Sequence, residues 1–209
     1  FKQKTAYEIR LSLVGSEMCI RDRDICARAD RGRLVLRLGT WRSLDSILLP
    51  IGVARDDDNG ALDDATARRI IDSNFYAQSS LITALWEGLR ERQGACVVGF
   101  GSIAAGRGRR RNIMYAAAKR ALESYFESLR ALGADTGTGV QLYALGYMRT
   151  QQTFGRDLLL PVASPDQVAG VVFRDLHQFS GHRYHPAWWG LVVSILRRLP
   201  WFIYRRLNF

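Results

Sequence analysis

Short apolar runs alternate along the chain with longer stretches in which apolar residues recur at helical spacing. Ser46-Ile-Leu-Leu-Pro-Ile-Gly52 is apolar and closed by glycine, which predicts a buried strand end; Pro50 cannot donate to a ladder and must lie at its margin. A polar loop, Asp56-Asp-Asp-Asn-Gly60, follows. From Leu62 to Arg92 the spacing of Ile70, Ile71, Phe75, Leu81, Leu85 and Leu89 predicts one long helix. Gly94 resets the period, and Ala95-Cys-Val-Val-Gly-Phe100 predicts a second strand. Gly106 to Arg111 is a basic loop, and Asn112 to Leu132 a second helix with Gly133 as its C-cap. Val140 to Leu145 predicts a third strand closed by Gly146, and Ser164-Pro-Asp-Gln a capped helix start with Pro165 at its first position. Asp24 to Arg42, Arg-rich with scattered Leu and Val, predicts only a poorly defined helix or partial strand.

Strands separated by long helices pair in parallel through right-handed crossovers, so the expected fold class is α/β, a doubly wound sheet. Ligands of such sheets sit beyond the carboxyl ends of the strands, which directs attention to the residues just after each strand. The 209 residues suit one domain at about 150 residues per domain. No apolar run approaches the roughly 20 residues needed to span a bilayer as a helix. Three cysteines, Cys19, Cys26 and Cys96, form neither a disulfide framework nor a CxxC pair, which fits a reducing compartment, and Cys96 reads as inert core. His182 and His185 lie three apart without a carboxylate or cysteine beside them, so a surface or interface role outweighs a metal site and no metal is expected.

The net charge of +10 comes from 27 Arg and three Lys. After Lys2 and Lys4, Lys119 is the only lysine. Lysine is a compact ammonium with a tunable pKa, whereas arginine is a permanently charged fork, which makes Lys119 the first candidate for chemistry. The loop Gly106-Arg-Gly-Arg-Arg-Arg111 has no interleaved aromatics for stacking bases, so it reads as a solvated loop that can attract an anionic substrate, with no nucleic-acid partner.

Ser102 follows the second strand, and thirteen residues later Tyr115-Ala-Ala-Ala-Lys119 places a phenol and an ammonium on one helix face. Reducing a carbonyl needs a proton on oxygen, and a phenol supplies it best when its pKa nears the working pH. Bringing Tyr from about 10 to about 7 takes roughly 4 kcal/mol. One cation shifts a pKa by about 1–3 units, so Lys119 supplies only part of that.

These residues resemble the short-chain dehydrogenase/reductase family, whose signature is a Ser about a dozen residues ahead of Tyr-x-x-x-Lys. The resemblance runs over residues 45 to 175. Asn74, in Asp72-Ser-Asn-Phe-Tyr76, matches the family's fourth catalytic residue. Leu145-Gly-Tyr-Met-Arg-Thr150 matches its Pro-Gly-x-x-x-Thr turn with Leu145 in place of Pro. Gly52 matches the glycine of its Asn-Ala-Gly strand end. The resemblance implies an NAD(P)(H)-dependent oxidoreductase interconverting an alcohol and a carbonyl, with NADP(H) slightly favoured. It assigns Asn74, Ser102, Tyr115 and Lys119 to catalysis, and Gly52, Tyr115, Lys119, Gly146 and Thr150 to the cofactor. An oxidised nicotinamide nearby would complete the tuning of Tyr115, and association into a homo-oligomer would use the two long helices.

One departure is large. The glycine-rich fingerprint that holds a pyrophosphate at the first strand-to-helix turn is missing, and Gly15, Gly32 and Gly39 lack its pattern. The sheet is therefore expected to be Rossmann-like but incomplete in its N-terminal half, and the chain to bind cofactor weakly or not at all. Residues 1–23 resemble translated sequencing-adaptor read-through and are expected to lie outside the fold. Residues 24–180 then form the partial catalytic domain. Residues 181–209 are read as an amphipathic tail in which Trp188, Trp189, Trp201, Phe202, Ile203 and Tyr204 alternate with Arg197, Arg198, Arg205 and Arg206. Such a tail suits either an anionic membrane surface or packing on its own domain. A cytoplasmic protein, peripheral on the inner membrane face and acting on a small or lipid-linked substrate, is the resulting expectation. The rival is a catalytically dead fragment that only binds membranes.

Overall fold

The computed structural model describes residues 24–40, 44–149 and 161–207. Four strands, β1 (Ser46–Leu49), β2 (Cys96–Ser102), β3 (Gly139–Leu145) and β4 (Gly181–His185), form one parallel sheet in chain order. The register places Leu48 beside Val98, Val98 beside Gln141 and Gln141 beside Gly181. Helix α1 (Arg28–Gly39) precedes β1. Helices α2 (Asp64–Ile71) and α3 (Ala77–Arg90) are joined by a π-helical turn, Asp72–Tyr76, and lie between β1 and β2. A 3-10 turn (Ile103–Gly106) and α4 (Ile113–Ala134) lead to β3, α5 (Pro165–Asp175) leads to β4, and α6 (Trp189–Arg198) and α7 (Trp201–Tyr204) complete the order.

Each face of the sheet is covered. Ile47, Leu49, Val97, Val140 and Leu142 face α3 and α4, meeting Leu81, Ile82, Leu85, Leu89, Leu122, Phe126 and Leu129. Cys96, Val98 and Tyr143 point the other way, against Val168 and Val172 of α5. Burial on both faces is why β2 and β3 read as unbroken apolar runs, and it gives the expected Rossmann-like α/β fold. A Cβ at Gly99 would overlap the Phe126 ring, so that glycine lets α4 settle onto β2. The expected capped start of α5 is present: Ser164 Oγ accepts from Gln167 N at 3.2 Å and Gln167 Oε1 accepts from Ser164 N at 2.8 Å.

Four expectations change. Asp24 to Arg42 holds a regular helix, α1, whose Leu34, Val35 and Leu38 pack on the α3 core. Gly133 is not a C-cap, because α4 runs past it to Ala134; its missing side chain instead admits the loop behind it, with Thr138 O only 2.6 Å from a Cβ placed there. The tail does not begin at residue 181, since Gly181–His185 is the sheet's fourth strand. Finally, the basic loop is tied to the C-terminal helices. Arg107 donates to the Leu196 and Leu199 carbonyls at 2.5 Å each and lies over the Tyr204 ring, Arg197 Nε donates to Gly106 O at 3.0 Å, and Tyr204 Oη donates to Gly108 O at 2.7 Å.

Candidate active site

The carboxyl ends of β1 and β2 meet the first turns of α4. Asn112 precedes that helix in the left-handed region (φ 55°) and gives it no side-chain cap. Asp58, fully buried, takes over: its Oδ1 accepts from Met114 N at 3.1 Å and its Oδ2 from Tyr115 N at 3.0 Å. A carboxylate on two free N–H groups at the positive end of a helix dipole is a strong cap. It fixes the turn that carries Tyr115. In the sequence Asp58 belongs to a polar loop, Asp56-Asp-Asp-Asn-Gly60, and no local period marks it as a helix cap.

Tyr115 and Lys119 do share a face, with Nζ 6.0 Å from the ring centroid. Lys119 is 3% exposed and donates to Ile51 O at 3.1 Å and Phe100 O at 2.8 Å, which pins α4 to the ends of β1 and β2. Gly52 is required beside it, because a Cβ there would sit 2.9 Å from Asn74 Oδ1 and 3.3 Å from Nζ. Asn74 is fully buried; its Nδ2 donates to Val53 O (2.7 Å) and Ile70 O (2.9 Å), and its Oδ1 accepts from Val53 N (3.2 Å). Capturing the Ile70 carbonyl in this way interrupts the α-helical ladder and accounts for the π-helical turn.

Burial pulls the Lys119 ammonium down to about 8. Its folded pKa lies below the unfolded value, so as pH rises through the window from about 8 to about 10.5 the unfolded chain holds the extra proton and stability increases. Urea unfolding at the two sides of pH 8.5 should therefore show a gain of about 1–2 kcal/mol from pH 7.5 to 9.5 that Lys119→Met lacks. Equal pH slopes in both proteins would contradict a desolvated ammonium.

The Tyr115 phenol is raised, chiefly by burial, while a hydrogen bond with Ser102 and the charge of Arg109 pull it back. Lys119 keeps its ammonium 6.0 Å from the Tyr115 ring centroid, and Arg109 adds a second positive charge near the phenol. Ser102 Oγ also accepts from Ala104 N at 3.2 Å, which orients the hydroxyl. At neutral pH Tyr115 is thus a protonated phenol in contact with a serine.

Gly146 directly follows β3 at its carboxyl end. A Cβ there would overlap the Trp189 indole, so its open side is filled by α6. Thr150 lies outside the described residues, as do residues 1–23. Gly133, Gly137 and Gly139 line a cavity of about 750 Å³ at the amino ends of the strands, on a helix-to-strand turn, the end opposite Tyr115. Among the described residues no His, Cys, Asp and Glu cluster has metal-site geometry.

A two-sided parallel sheet with Asn74, Ser102, Tyr115 and Lys119 gathered at the carboxyl ends of its strands defines a Rossmann-like α/β protein with one polar centre. The chain belongs to the short chain dehydrogenase family, whose model matches residues 3–156. An uncharacterized oxidoreductase of Mycobacterium tuberculosis is 31% identical over 168 residues, which cover 78% of this chain and 66% of that protein. The chain thus spans just under two thirds of that relative's length. An acetoacetyl-CoA reductase of Allochromatium vinosum is 22% identical over 76% of this chain and 69% of its own. Among solved structures, a short chain dehydrogenase from Burkholderia cenocepacia in complex with NADP shares the fold with a TM-score of 0.75 at 18% identity, over 91% of this chain and 84% of that one. A 3-oxoacyl-[acyl-carrier protein] reductase with bound NAD from Brucella melitensis gives 0.62 at 20% identity, over 76% and 66%.

Proposed function

We propose that this chain carries the catalytic half of a nicotinamide-dependent oxidoreductase that interconverts an alcohol and a carbonyl. The observation that carries the reading is Tyr115 sharing a helix face with buried Lys119, whose ammonium lies 6.0 Å from its ring, at the strand ends where Ser102 closes β2. The nicotinamide side fits: an ammonium has three protons, and two of those on Lys119 are engaged by Ile51 and Phe100, which leaves one for a ribose hydroxyl. When bound, the nicotinamide supplies the hydride to the carbonyl carbon. Tyr115 gives its phenolic proton to the carbonyl oxygen, and Ser102 donates a hydrogen bond to that oxygen as charge builds on it. Lys119 keeps positive charge beside the phenolate that remains. Both Nδ2 protons of Asn74 are taken, so only Oδ1 has capacity left for the proton relay that the family likeness assigns to it. The preference for NADP(H) is part of the same reading.

The test is NADPH oxidation by purified chain at millimolar cofactor, with acetoacetyl-CoA as the trial carbonyl because a relative bears that name. Carbonyl-dependent turnover supports the reading. Turnover that persists at the same rate in Ser102→Ala would remove this site from the reaction.

A peripheral membrane role is the finer part of the reading, and the exposure pattern of α6 and α7 favours it. Trp189, Val193 and Tyr204 pack inward, whereas Leu191, Trp201 and Phe202 are 68%, 67% and 61% exposed. Packing on the domain and facing a membrane thus divide between two faces of one segment. Arginines follow the exposed aromatics, as interfacial helices on anionic lipid require. No described helix is long and apolar enough to cross a membrane. The double substitution Trp201→Glu/Phe202→Glu should cut co-flotation with phosphatidylserine vesicles at least fivefold; unchanged flotation would end the membrane reading.

A further inference from the structure

We propose that Gln78 is a positioning residue for the reaction: by holding the Ile51 carbonyl it fixes one of the two acceptors on which the Lys119 ammonium rests. The inference builds on the reading of Tyr115 and Lys119 as the reacting pair and names what sets that ammonium in place. Gln78 lies in the first turn of α3 and is fully buried. In the sequence it is one polar residue within a helical apolar pattern.

The two acceptors of Lys119 differ in how they are held. Phe100, whose carbonyl accepts from Nζ at 2.8 Å, lies inside β2 in register with Tyr143, so the sheet fixes it. Ile51 lies beyond the end of β1, where side chains must do the same work. Its oxygen accepts from Lys119 Nζ at 3.1 Å and from Gln78 Nε2 at 3.2 Å. Asn74, one helical turn before Gln78, bonds both the N–H and the carbonyl of Val53. Two amides on one helix face thus clip the backbone on either side of Gly52, the residue whose missing side chain leaves room for Nζ.

The orientation of the Gln78 amide follows from its surroundings. Its nitrogen also donates to Ser73 O at 2.8 Å, and turning the amide over would set its oxygen against two carbonyl oxygens. Both Nε2 protons are therefore engaged, while Oε1 is buried with no hydrogen-bond partner among the described residues. An unanswered buried acceptor costs free energy that an apolar side chain of similar size would avoid. What the amide provides, and a methionine does not, is a grip on the Ile51 carbonyl.

The ammonium itself reports this link. The chain has three lysines, Lys2, Lys4 and Lys119, so lysine labelled with carbon-13 at Cε gives few signals, and Lys119→Arg identifies one of them by its loss. In the full wild-type chain that signal should titrate near pH 8. Gln78→Met should lower the midpoint by about 0.5–1 unit, because the charged form loses a held acceptor. Gln78→Glu should raise it by about 1–3 units, because a carboxylate then meets the ammonium across one backbone oxygen. Leu89→Ala, a buried truncation at the far end of α3, should leave it in place. A midpoint that either Gln78 substitution leaves unmoved, or that Leu89→Ala moves as far, would overturn the role; should Gln78→Glu fail to fold, Gln78→Met decides alone. In turnover Gln78→Met should lower kcat about tenfold, and full activity would reduce Gln78 to a packing residue. The titrations need neither cofactor nor turnover. An unmoved midpoint therefore removes Gln78 and leaves the oxidoreductase reading standing, whereas a wild-type chain without carbonyl-dependent turnover removes that reading and leaves the link between Gln78 and Lys119.

Discussion

Tyr115→Phe is expected to lower carbonyl-dependent NADPH oxidation by about 10²–10⁴-fold, the range that a positioned general acid supplies. The effect should fall on kcat, with little change in KM, because the phenolic proton is needed only as negative charge forms on the carbonyl oxygen. Removing one oxygen leaves the ring and the α4 backbone that carries it in place, so the far-UV spectrum and the urea midpoint should stay close to wild type. Ser102→Ala should reduce turnover by a smaller factor, since Tyr115 still reaches the substrate. A Tyr115→Phe protein retaining a tenth or more of its activity would assign proton transfer to another group.

Asp58→Ala is expected to destabilise the fold by about 2–4 kcal/mol, the combined cost of a lost helix cap and two buried amide donors left without partners. Asp58 is fully buried and spans from the loop after β1 to the first turn of α4. The loss should therefore appear as a lower urea midpoint and, in the surviving folded protein, as lower turnover through displacement of Tyr115. Asp58→Asn keeps one acceptor and should recover part of both. Denaturation curves for the three proteins decide the matter: a midpoint shift worth less than about 1 kcal/mol would mean that the first turn of α4 is held elsewhere.

The parts of the site that lie close in sequence were legible there. Lys119 lies four positions after Tyr115, and that spacing alone sets them on one face; the apolar runs of β2 and β3 likewise announce strands buried on two sides. What escaped the sequence depends on contacts between distant segments. Asp58 meets α4 across 56 positions, and no local period marks a residue that caps a helix it does not belong to. Arg109 sits in a run of arginines whose composition suggests solvent, yet its neighbour Arg107 is tied to α6 across 89 positions. β4, Gly-His-Arg-Tyr-His, is a polar edge strand with neither strict alternation nor an apolar run, so its pairing with β3 decides its state. Lys119 is legible from its spacing, whereas its hydrogen bonds to the carbonyls of Ile51 and Phe100, 68 and 19 positions away, are marked by no local period.

The π-helical turn at Asp72–Tyr76 has a consequence for how this protein can vary. Such a turn is one residue longer than regular helix requires, so deleting a single position there would restore an uninterrupted ladder. The gain in helix regularity would come at the cost of the wide turn itself, whose positions would be re-spaced onto regular steps of about 100°. Asn74 would then swing away from Gly52 and Val53. Local order and the polar centre oppose each other at this point, and selection for a sturdier helix would work against keeping the amide where it is.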